Sequence, residues 1–437
     1  MENIIKNFAK YVSLNILGMI GLSCYILADT YFVSKALGAT GVAALNFSIS
    51  IYSVIHGTGL MIGIGGASRY SILYSQNEVK KSNEVYSTSM KLGIFLGVLF
   101  VIIGIFGSKS LALRLGADAS TLPLIQTYLT TILVFAPFFI MNNILIAFVR
   151  NDNNPNLSMI AMLTGSLSNI ILDYIFMFPL GMGMFGAAFA TGLAPIISIC
   201  ILFIHFIKRI NSFKLIKNSI RWSYIYDLCS LGLSAFITEV SSAVVLITFN
   251  LVIFRLKGNL GVASYGIIAN IALVGVSIFT GIAQGIQPLV SKGYGMNNHV
   301  ILKKVMKYAI ITSLSIASLI YLTVFYNADN IIGLFNSEQN IKIAQIAKHG
   351  IRIYFIGFFF AGINIIMAMY LSAIESAKDA FIISIARGCI IIVPLVLLLC
   401  SIFKMTGVWL SFVLTESVVT IIILMVNTKR KIFILRN

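Results

Sequence analysis

The feature that most constrains this chain is a series of apolar segments of about 20 residues, which recur along the whole sequence. A segment of that length, rising about 1.5 Å per residue as a helix, crosses a hydrocarbon layer about 30 Å thick. The backbone finds no water to bond inside the layer, so each segment must be helical. With 59% hydrophobic and 10% charged residues, the sequence predicts an all-α membrane protein that crosses the bilayer many times.

Polar connectors divide the apolar segments into twelve predicted helices. These span residues 11–33, 43–69, 88–108, 123–148, 157–179, 185–207, 229–255, 264–291, 305–326, 349–374, 380–402 and 406–427. The one long basic break, from Lys208 to Asp227, leaves six helices on each side. We therefore predict an N-lobe at residues 1–207, a cytoplasmic linker at 208–228 and a C-lobe at 229–437.

The two predicted lobes resemble each other at an offset of 220 residues. Gly38-Ala-Thr-Gly41-Val-Ala recurs as Gly258-Asn-Leu-Gly261-Val-Ala, and at the same offset Gly65, Tyr74 and Asn77 fall on Gly285, Tyr294 and Asn297. Both lobes begin on the same side of the membrane, which predicts two six-helix bundles related by a pseudo-two-fold axis along the membrane normal. Parallel repeats of this kind occur in secondary transporters, whose substrate sites lie between the repeats.

The basic residues predict the orientation. With the N-terminus inside, 22 of the 31 Lys and Arg residues fall in inner segments, as the positive-inside rule requires. We therefore expect a plasma (inner) membrane protein with both termini in the cytoplasm. Arg387 is placed among the inner bases, and no Lys or Arg is predicted deep within a helix. The net charge of +17 is spread over short connectors without a basic domain, so it does not indicate nucleic-acid binding.

Two carboxyls lie within apolar segments of the N-lobe, where an uncompensated charge is costly and is by default a functional candidate. Asp29 is about 13 Å along its helix from the turn at Gly38, and Asp173 and Thr191 are each about 9 Å from the next outer turn. Asn169 lies one helical turn from Asp173. Such oxygen groups suit a hard cation, and two carboxyls can instead share a proton. Na⁺ and H⁺ are both admissible, and the alternative is a pair of structural carboxyls.

Two further acids, Glu239 and Glu416, each lie about ten residues into a predicted helix of the C-lobe, near the bilayer midplane. We expect Glu239 to take part in coupling or to attract a cationic substrate. Glu416 is a second candidate for coupling or substrate binding, although its position next to Thr415 and Ser417 favours a locally satisfied structural acid. Because no base is placed near them, an acidic interior favours cationic cargo. His56 is expected to be a packed, hydrogen-bonded residue.

Four stretches occur in a specific order along the chain. They are Ala28-Asp29-Thr30-Tyr31-Phe32-Val33, Asn169-Ile-Ile-Leu-Asp173, Gly186-Ala-Ala-Phe-Ala-Thr191 and Gln284-Gly-Ile-Gln287-Pro288-Leu-Val. With them the chain resembles the multidrug and toxic compound extrusion (MATE) family of bacterial and archaeal antiporters. The resemblance implies export of small amphipathic, mostly cationic compounds, driven by uptake of Na⁺ or H⁺ and without a cofactor. We expect a monomer that contacts only the lipid bilayer and its substrates.

The resemblance also assigns residues. It implies a cation site at Asp29, Asn169, Asp173 and Thr191, which would hold the metal ion if the protein is sodium-coupled. In another branch of the family the C-lobe carries a Glu in helix 7 and an Asp in helix 10. Glu239 matches the first, whereas helix 10 offers only Asn364. Gln284 and Gln287 lie near the cytoplasmic end of helix 8, where the resemblance gives them no defined role. We treat them, with Asn364, as candidates for substrate binding or coupling.

Other classes of protein fit the sequence less well. A lipid-linked oligosaccharide flippase of the same superfamily would be expected to line its cavity with Arg or Lys, and none is predicted there. An intramembrane enzyme would need clustered Asp-rich, His-Glu-x-x-His or paired catalytic Asp motifs, which are absent from the sequence. The five cysteines form no Cys-x-x-Cys pair and indicate neither a disulfide framework nor a zinc site.

Overall fold

The structure of the protein is a computed structural model that describes residues 2–217, 221–335 and 340–430. The described part contains long helices that we number by the times the chain can cross a membrane. They are α1 (2–37), α2 (39–75), α3 (Val79–Arg114), α4 (122–151), α5 (Pro155–Met177), α6 (Gly183–Ile207), α7 (222–257), α8 (259–295), α9 (His299–Tyr326), α10 (Ile341–Ala373), α11 (377–403) and α12 (405–430). A short helix, Ala328–Phe335, joins α9 to α10.

The predicted fold class is confirmed, with twelve helices in the described residues. Three pairs of consecutive helices are separated by a single residue with non-helical backbone: Gly38 between α1 and α2, Gly258 between α7 and α8, and Lys404 between α11 and α12. Helix α4 consists of Leu122–Val134 and Ala136–Asn151, which meet at 49°. Pro137 stands in the first turn of the second part, where its missing N–H and fixed φ end the preceding helix.

The repeat predicted from the sequence is visible in the backbone. Gly38 (φ 62°, ψ −155°) and Gly258 (φ 58°, ψ −150°) adopt the same conformation at the α1–α2 and α7–α8 breaks. Side chains disfavour this conformation, and this explains glycine at both positions. Asn77 and Asn297 also match, with φ of 64° and 53°, in the turns that follow α2 and α8. The equivalent connections therefore lie at the same ends of the two bundles.

We call the end of the molecule that carries residue 2 and the 208–221 connection the linker end, and the opposite end the far end. The linker is longer in the prediction than in the structure, because α7 begins at Trp222 rather than at residue 229. Likewise α1 spans 2–37 rather than 11–33. Both helices continue past the apolar segment through polar residues that hydropathy assigns to connectors. Residues 218–220 of the predicted linker and the tail from Lys431 lie outside the described residues.

The linker is held against the N-lobe. Phe213 is fully buried, with its ring 4.5 Å from that of Tyr86. The backbone N–H of Lys214 donates to Asn83 Oδ1 at 2.9 Å, and that of Ile216 donates to Ser87 Oγ at 2.9 Å. The described part of the connection, up to residue 217, thus packs against the N-lobe.

The lobes contact each other closely on the linker side through pairs of glycines. A Cβ at Gly65 of α2 would lie 2.0 Å from the carbonyl oxygen of Leu228, and a Cβ at Gly232 of α7 would lie 1.8 Å from that of Met61. In the equivalent crossing of α8 over α1, a Cβ at Gly285 would lie 2.8 Å from Val12 Cα. Only glycine permits backbones to approach this closely. The close α2–α7 approach continues to Gly57, near the middle of α2.

Candidate ion and substrate sites

The N-lobe candidate site forms where α5 crosses α6. A Cβ at Gly165 of α5 would lie 3.2 Å from the carbonyl oxygen of Ala194 in α6, so the two helices approach closely there. One turn along α5, Asn169 faces Thr191. Asp173 follows after another turn, because residues four apart share a helix face. The small residues that let the helices meet therefore also bring the polar ones together.

The four predicted residues are buried, with exposed fractions of 7% for Asp29, 0% for Asn169 and Asp173, and 4% for Thr191. In the amide orientation that satisfies both of its groups, Asn169 Nδ2 donates to Asp173 Oδ2 at 3.0 Å and Asn169 Oδ1 accepts from the Thr191 backbone N–H at 3.2 Å. Asp29 of α1 interacts electrostatically with Asp173 of α5. The structure thus brings the four residues from α1, α5 and α6 to one place.

Tyrosines surround the two carboxyls, and the sequence reasoning did not identify them. Tyr128 of α4 interacts with both Asp29 and Asp173, and its hydroxyl is within hydrogen-bonding reach of the Thr191 side chain. Tyr25, four residues before Asp29 on the same face of α1, shares a hydrogen bond of 2.8 Å with the Tyr52 hydroxyl. The spacing of Tyr25 from Asp29 was a signal for one of them. Tyr128 could not be found without knowing which face of α4 meets α1.

Two carboxylate oxygens of this site, Asp29 Oδ1 and Asp173 Oδ1, are buried and have no hydrogen-bond partner. Leaving a buried carboxylate oxygen unpaired costs free energy, and a bound cation or proton removes that cost. Two carboxylates, an amide and hydroxyl groups offer oxygen ligands, the donor type that hard cations prefer. The residues present therefore fit Na⁺ and fit a shared proton.

Glu239 lies at the lobe interface. It is in the middle of α7, and its Oε1 is 3.4 Å from Nδ1 of His56 in α2. The His56 ring stacks on Tyr52, with centroids 5.7 Å apart and planes 9° apart. The Glu239 side chain keeps 31% of its surface exposed. His56 is packed, as expected, but it also places an ionisable partner beside Glu239, which is more accessible than Glu416, the other acid embedded in the C-lobe.

Glu416 has the local role expected of it, but with a partner that the sequence analysis placed elsewhere. Arg387 Nη2 donates to Glu416 Oε1 at 2.7 Å, and Asn364 Nδ2 donates to Glu416 Oε2 at 2.6 Å. Arg387 lies in a π-helical turn, Ala386–Ile390, about ten residues into α11. The prediction that counted Arg387 among the inner bases, with no Lys or Arg deep within a helix, is therefore wrong. Its charge is neutralised by Glu416, which is why it is tolerated there.

This pair predicts a large effect on stability. The side chains of Arg387 and Glu416 are 12% and 3% exposed, so Arg387→Met leaves a buried carboxylate without its cation and should cost about 3 kcal/mol or more. Arg387→Met combined with Glu416→Gln should recover most of that loss. Thermal unfolding in detergent measures both variants, with Arg114→Met at the exposed end of α3 as the control. A single variant as stable as wild type would contradict a structural role for the pair.

The side chains of Gln284 and Gln287 form hydrogen bonds between the two lobes rather than with Asp29 or Asp173. Gln287 Oε1 accepts from Asn151 Nδ2 at 2.8 Å, and Gln287 Nε2 donates to Ser68 Oγ at 2.9 Å. Gln284 Oε1 accepts from Nη1 of Arg150 at 2.8 Å. Arg150, in the last turn of α4, is only 1% exposed; the sequence analysis placed it among the inner bases and did not anticipate this burial. These bonds join α4 and α2 to α8 on the linker side.

Comparisons with known proteins agree with this architecture. The multidrug export protein MepA of Staphylococcus saprophyticus is 27% identical over 396 residues, which cover 90% of this chain and 87% of MepA. MepA of Staphylococcus aureus is 28% identical over 398 residues, covering 90% and 86%.

Solved structures show the same fold. A multidrug resistance MATE family transporter of the MOP superfamily, described in an outward-facing conformation, superimposes with a TM-score of 0.91 at 24% identity and covers 97% of this chain and 95% of its own. A MOP superfamily transporter from Pyrococcus furiosus, described as having a binding pocket of reverse polarity, gives a TM-score of 0.90 at 24% identity over the same shares. The MatE sequence profile matches residues 15–175 and 234–398. The chain therefore belongs to the MatE family of membrane transporters, which are not enzymes.

Proposed function

We propose that this protein is a plasma-membrane antiporter that exports amphipathic, mostly cationic compounds in exchange for Na⁺ or H⁺. The observation that carries the proposal is the pair of buried carboxyls, Asp29 and Asp173, with one unpartnered oxygen each. Ionisable residues within membrane helices are costly and rare, and they often mark ion pathways. The MepA relatives are multidrug export proteins, which supports the cargo class.

The direction of transport follows from the proposed orientation. With the linker end in the cytoplasm, the positive-inside distribution of bases is satisfied. The lobes then make their close glycine contacts on the cytoplasmic side. A conformation closed on the cytoplasmic side is the one in which we expect a cation to reach the N-lobe, and a substrate to leave, from the outside.

Exchange requires that ion and substrate each prefer a different conformation. Asp29 and Asp173 are contributed by α1 and α5, so a cation bound between them would attract both carboxylates and draw the two helices together. Helix α1 also contacts α8 of the other lobe through Ile16 and Gly281. A rearrangement of α1 therefore reaches the lobe interface, and cation binding can favour one arrangement of the lobes over the other.

Glu239 is the proposed contact for the substrate. It is accessible, lies where the lobes meet and faces His56 rather than a Lys or Arg in the described residues. A desolvated cation would replace the weak His56 contact with a stronger one. A pyrophosphate-bearing lipid would instead need a free base in the cavity, and Arg387, a base buried deep in the C-lobe, is already paired with Glu416. The site therefore favours cationic cargo.

Transport by the purified protein in lipid vesicles tests this function. We expect ethidium movement to follow an imposed Na⁺ gradient or an imposed pH gradient, and to stop when that gradient is dissipated. Glu239→Gln should slow transport of ethidium more than that of a neutral dye, because it removes the attraction to positive charge. Asp329→Asn, an exposed acid at the far end, is the control. Transport of ethidium that ignores both gradients would overturn the proposal.

A further inference from the structure

A cavity of about 410 Å³ opens between the lobes at the linker end. The N-lobe contributes the first three turns of α1 and the α4–α5 turn, and the C-lobe contributes the end of α8 and the start of α9. We propose that this cavity binds a phosphate group and thereby holds the two lobes together at this end. The site is separate from Asp29, Asp173 and Glu239, and it does not depend on which ion drives transport.

The lining groups have the chemistry of an anion site. Lys10 projects from α1 and Lys292 from α8, one from each lobe, and neither is part of an ion pair found in the described residues. Amide side chains of Asn3, Asn7 and Asn153 also line the cavity, whereas the Asn151 amide already donates to Ala147 and Gln287. None of the lining residues is Asp or Glu. Two ammonium groups and several amide donors can neutralise and hydrogen-bond the oxygens of a phosphate, with charge-assisted bonds to the lysines.

A third positive charge lies behind the cavity. Arg150 is buried, its Nη1 donates to the neutral groups Asn15 Oδ1 at 2.7 Å and Gln284 Oε1 at 2.8 Å, and its Nε has no hydrogen-bond partner. Tyr11, which lines the cavity, interacts electrostatically with Arg150 and with Asp152.

The Asp152 carboxylate is already bound to other groups and so compensates the Arg150 charge only in part. Its Oδ2 already accepts from His205 Nε2 at 2.8 Å and from the Ser212 backbone N–H at 2.7 Å. A buried guanidinium with only amide partners is poorly compensated, and an anion in the adjacent cavity would lower that cost.

The placement of the lysines gives the site a consequence for transport. Lys10 and Lys292 face one cavity only while the α1 and α8 backbones stay in contact at Gly285 and Val12. A bridging phosphate therefore favours the conformation closed at the linker end. The group can come from an anionic lipid, because the cavity is at the end of the helices where headgroups lie, or from a free phosphate.

The test measures the Tm of the full protein in two titrations, one with phosphatidylglycerol and one with inorganic phosphate. Phosphatidylcholine is the neutral-lipid control for the first titration. We expect phosphatidylglycerol or phosphate to raise the Tm of wild type. The double variant Lys10→Gln/Lys292→Gln should bind either ligand more weakly, so the concentration that gives half of the Tm shift should rise at least about tenfold. Lys307→Gln removes an equal charge at the same end outside the cavity lining, and should behave as wild type. The single variants decide the question if the double variant does not fold.

The outcomes separate the sources. A Tm shift with phosphatidylglycerol alone identifies a lipid headgroup, and a shift with phosphate in lipid-free detergent identifies a soluble anion. Equal shifts in wild type and in the lysine variants, or no shift with either ligand, would overturn the site.

Discussion

Asp173→Asn should abolish ion-driven export of ethidium while the protein still reaches the membrane. The substitution keeps the shape of the side chain and its contact with Asn169, but it removes the charge that a cation needs. Because residue 173 is fully buried, no anion from solvent can replace the negative charge that the amide lacks. Efflux driven by the preferred ion gradient should fall to the level of protein-free vesicles.

Asp29→Asn should have the same effect, because the two carboxyls form one site. The double variant should be no worse than either single variant, since residues that act as one unit are not additive. Binding of ethidium without a gradient should persist in both, because Glu239 is untouched. Export at the wild-type rate by both single variants, driven by the same gradient, would exclude this site from coupling.

The N-lobe site could be assembled from the sequence because its signals are local. Asn169 and Asp173 share a helix face by spacing alone, and the turns at Gly38 and Gly181 fix the depth of Asp29 and Thr191. Each estimate needs only the rise of a helix and one turn residue. The placement of all four in one region follows, although their role in ion binding stays a prediction.

The groups that neutralise or extend the sites depend on contacts between distant helices. Arg387 was counted among the inner bases although it falls inside the predicted helix 380–402, and the structure places it in the π-helical turn of α11, where it donates to Glu416 of α12. Arg150 was placed at a helix end, where a base is ordinary. Only the crossing of α4 with α1 and α8 shows that it is enclosed. Hydropathy measures the residues along one helix and carries no information about which helix covers them.

Gly232→Ala should open the linker end. The new Cβ would lie 1.8 Å from the carbonyl oxygen of Met61, a backbone atom that cannot rotate away. Helices α2 and α7 must therefore move apart, and overpacking of this kind costs about 1–3 kcal/mol. That cost falls on the closed conformation alone, so the equilibrium should shift roughly 5- to 150-fold toward conformations in which the lobes are separated at this end. Export should fail because the cycle can no longer return to the closed conformation.

The matched control is Gly266→Ala in α8, where an added Cβ meets no atom within 4 Å. Spin labels at residues 80 and 300, equivalent exposed positions in the two lobes, report the separation of the linker ends in a background without the native cysteines. We expect a longer distance in Gly232→Ala and an unchanged one in Gly266→Ala. If Gly232→Ala exports ethidium normally and its labels stay at the wild-type distance, the glycine contact does not hold the lobes together. The closure would then have to come from the polar bonds of Gln284, Gln287 and Arg150 instead.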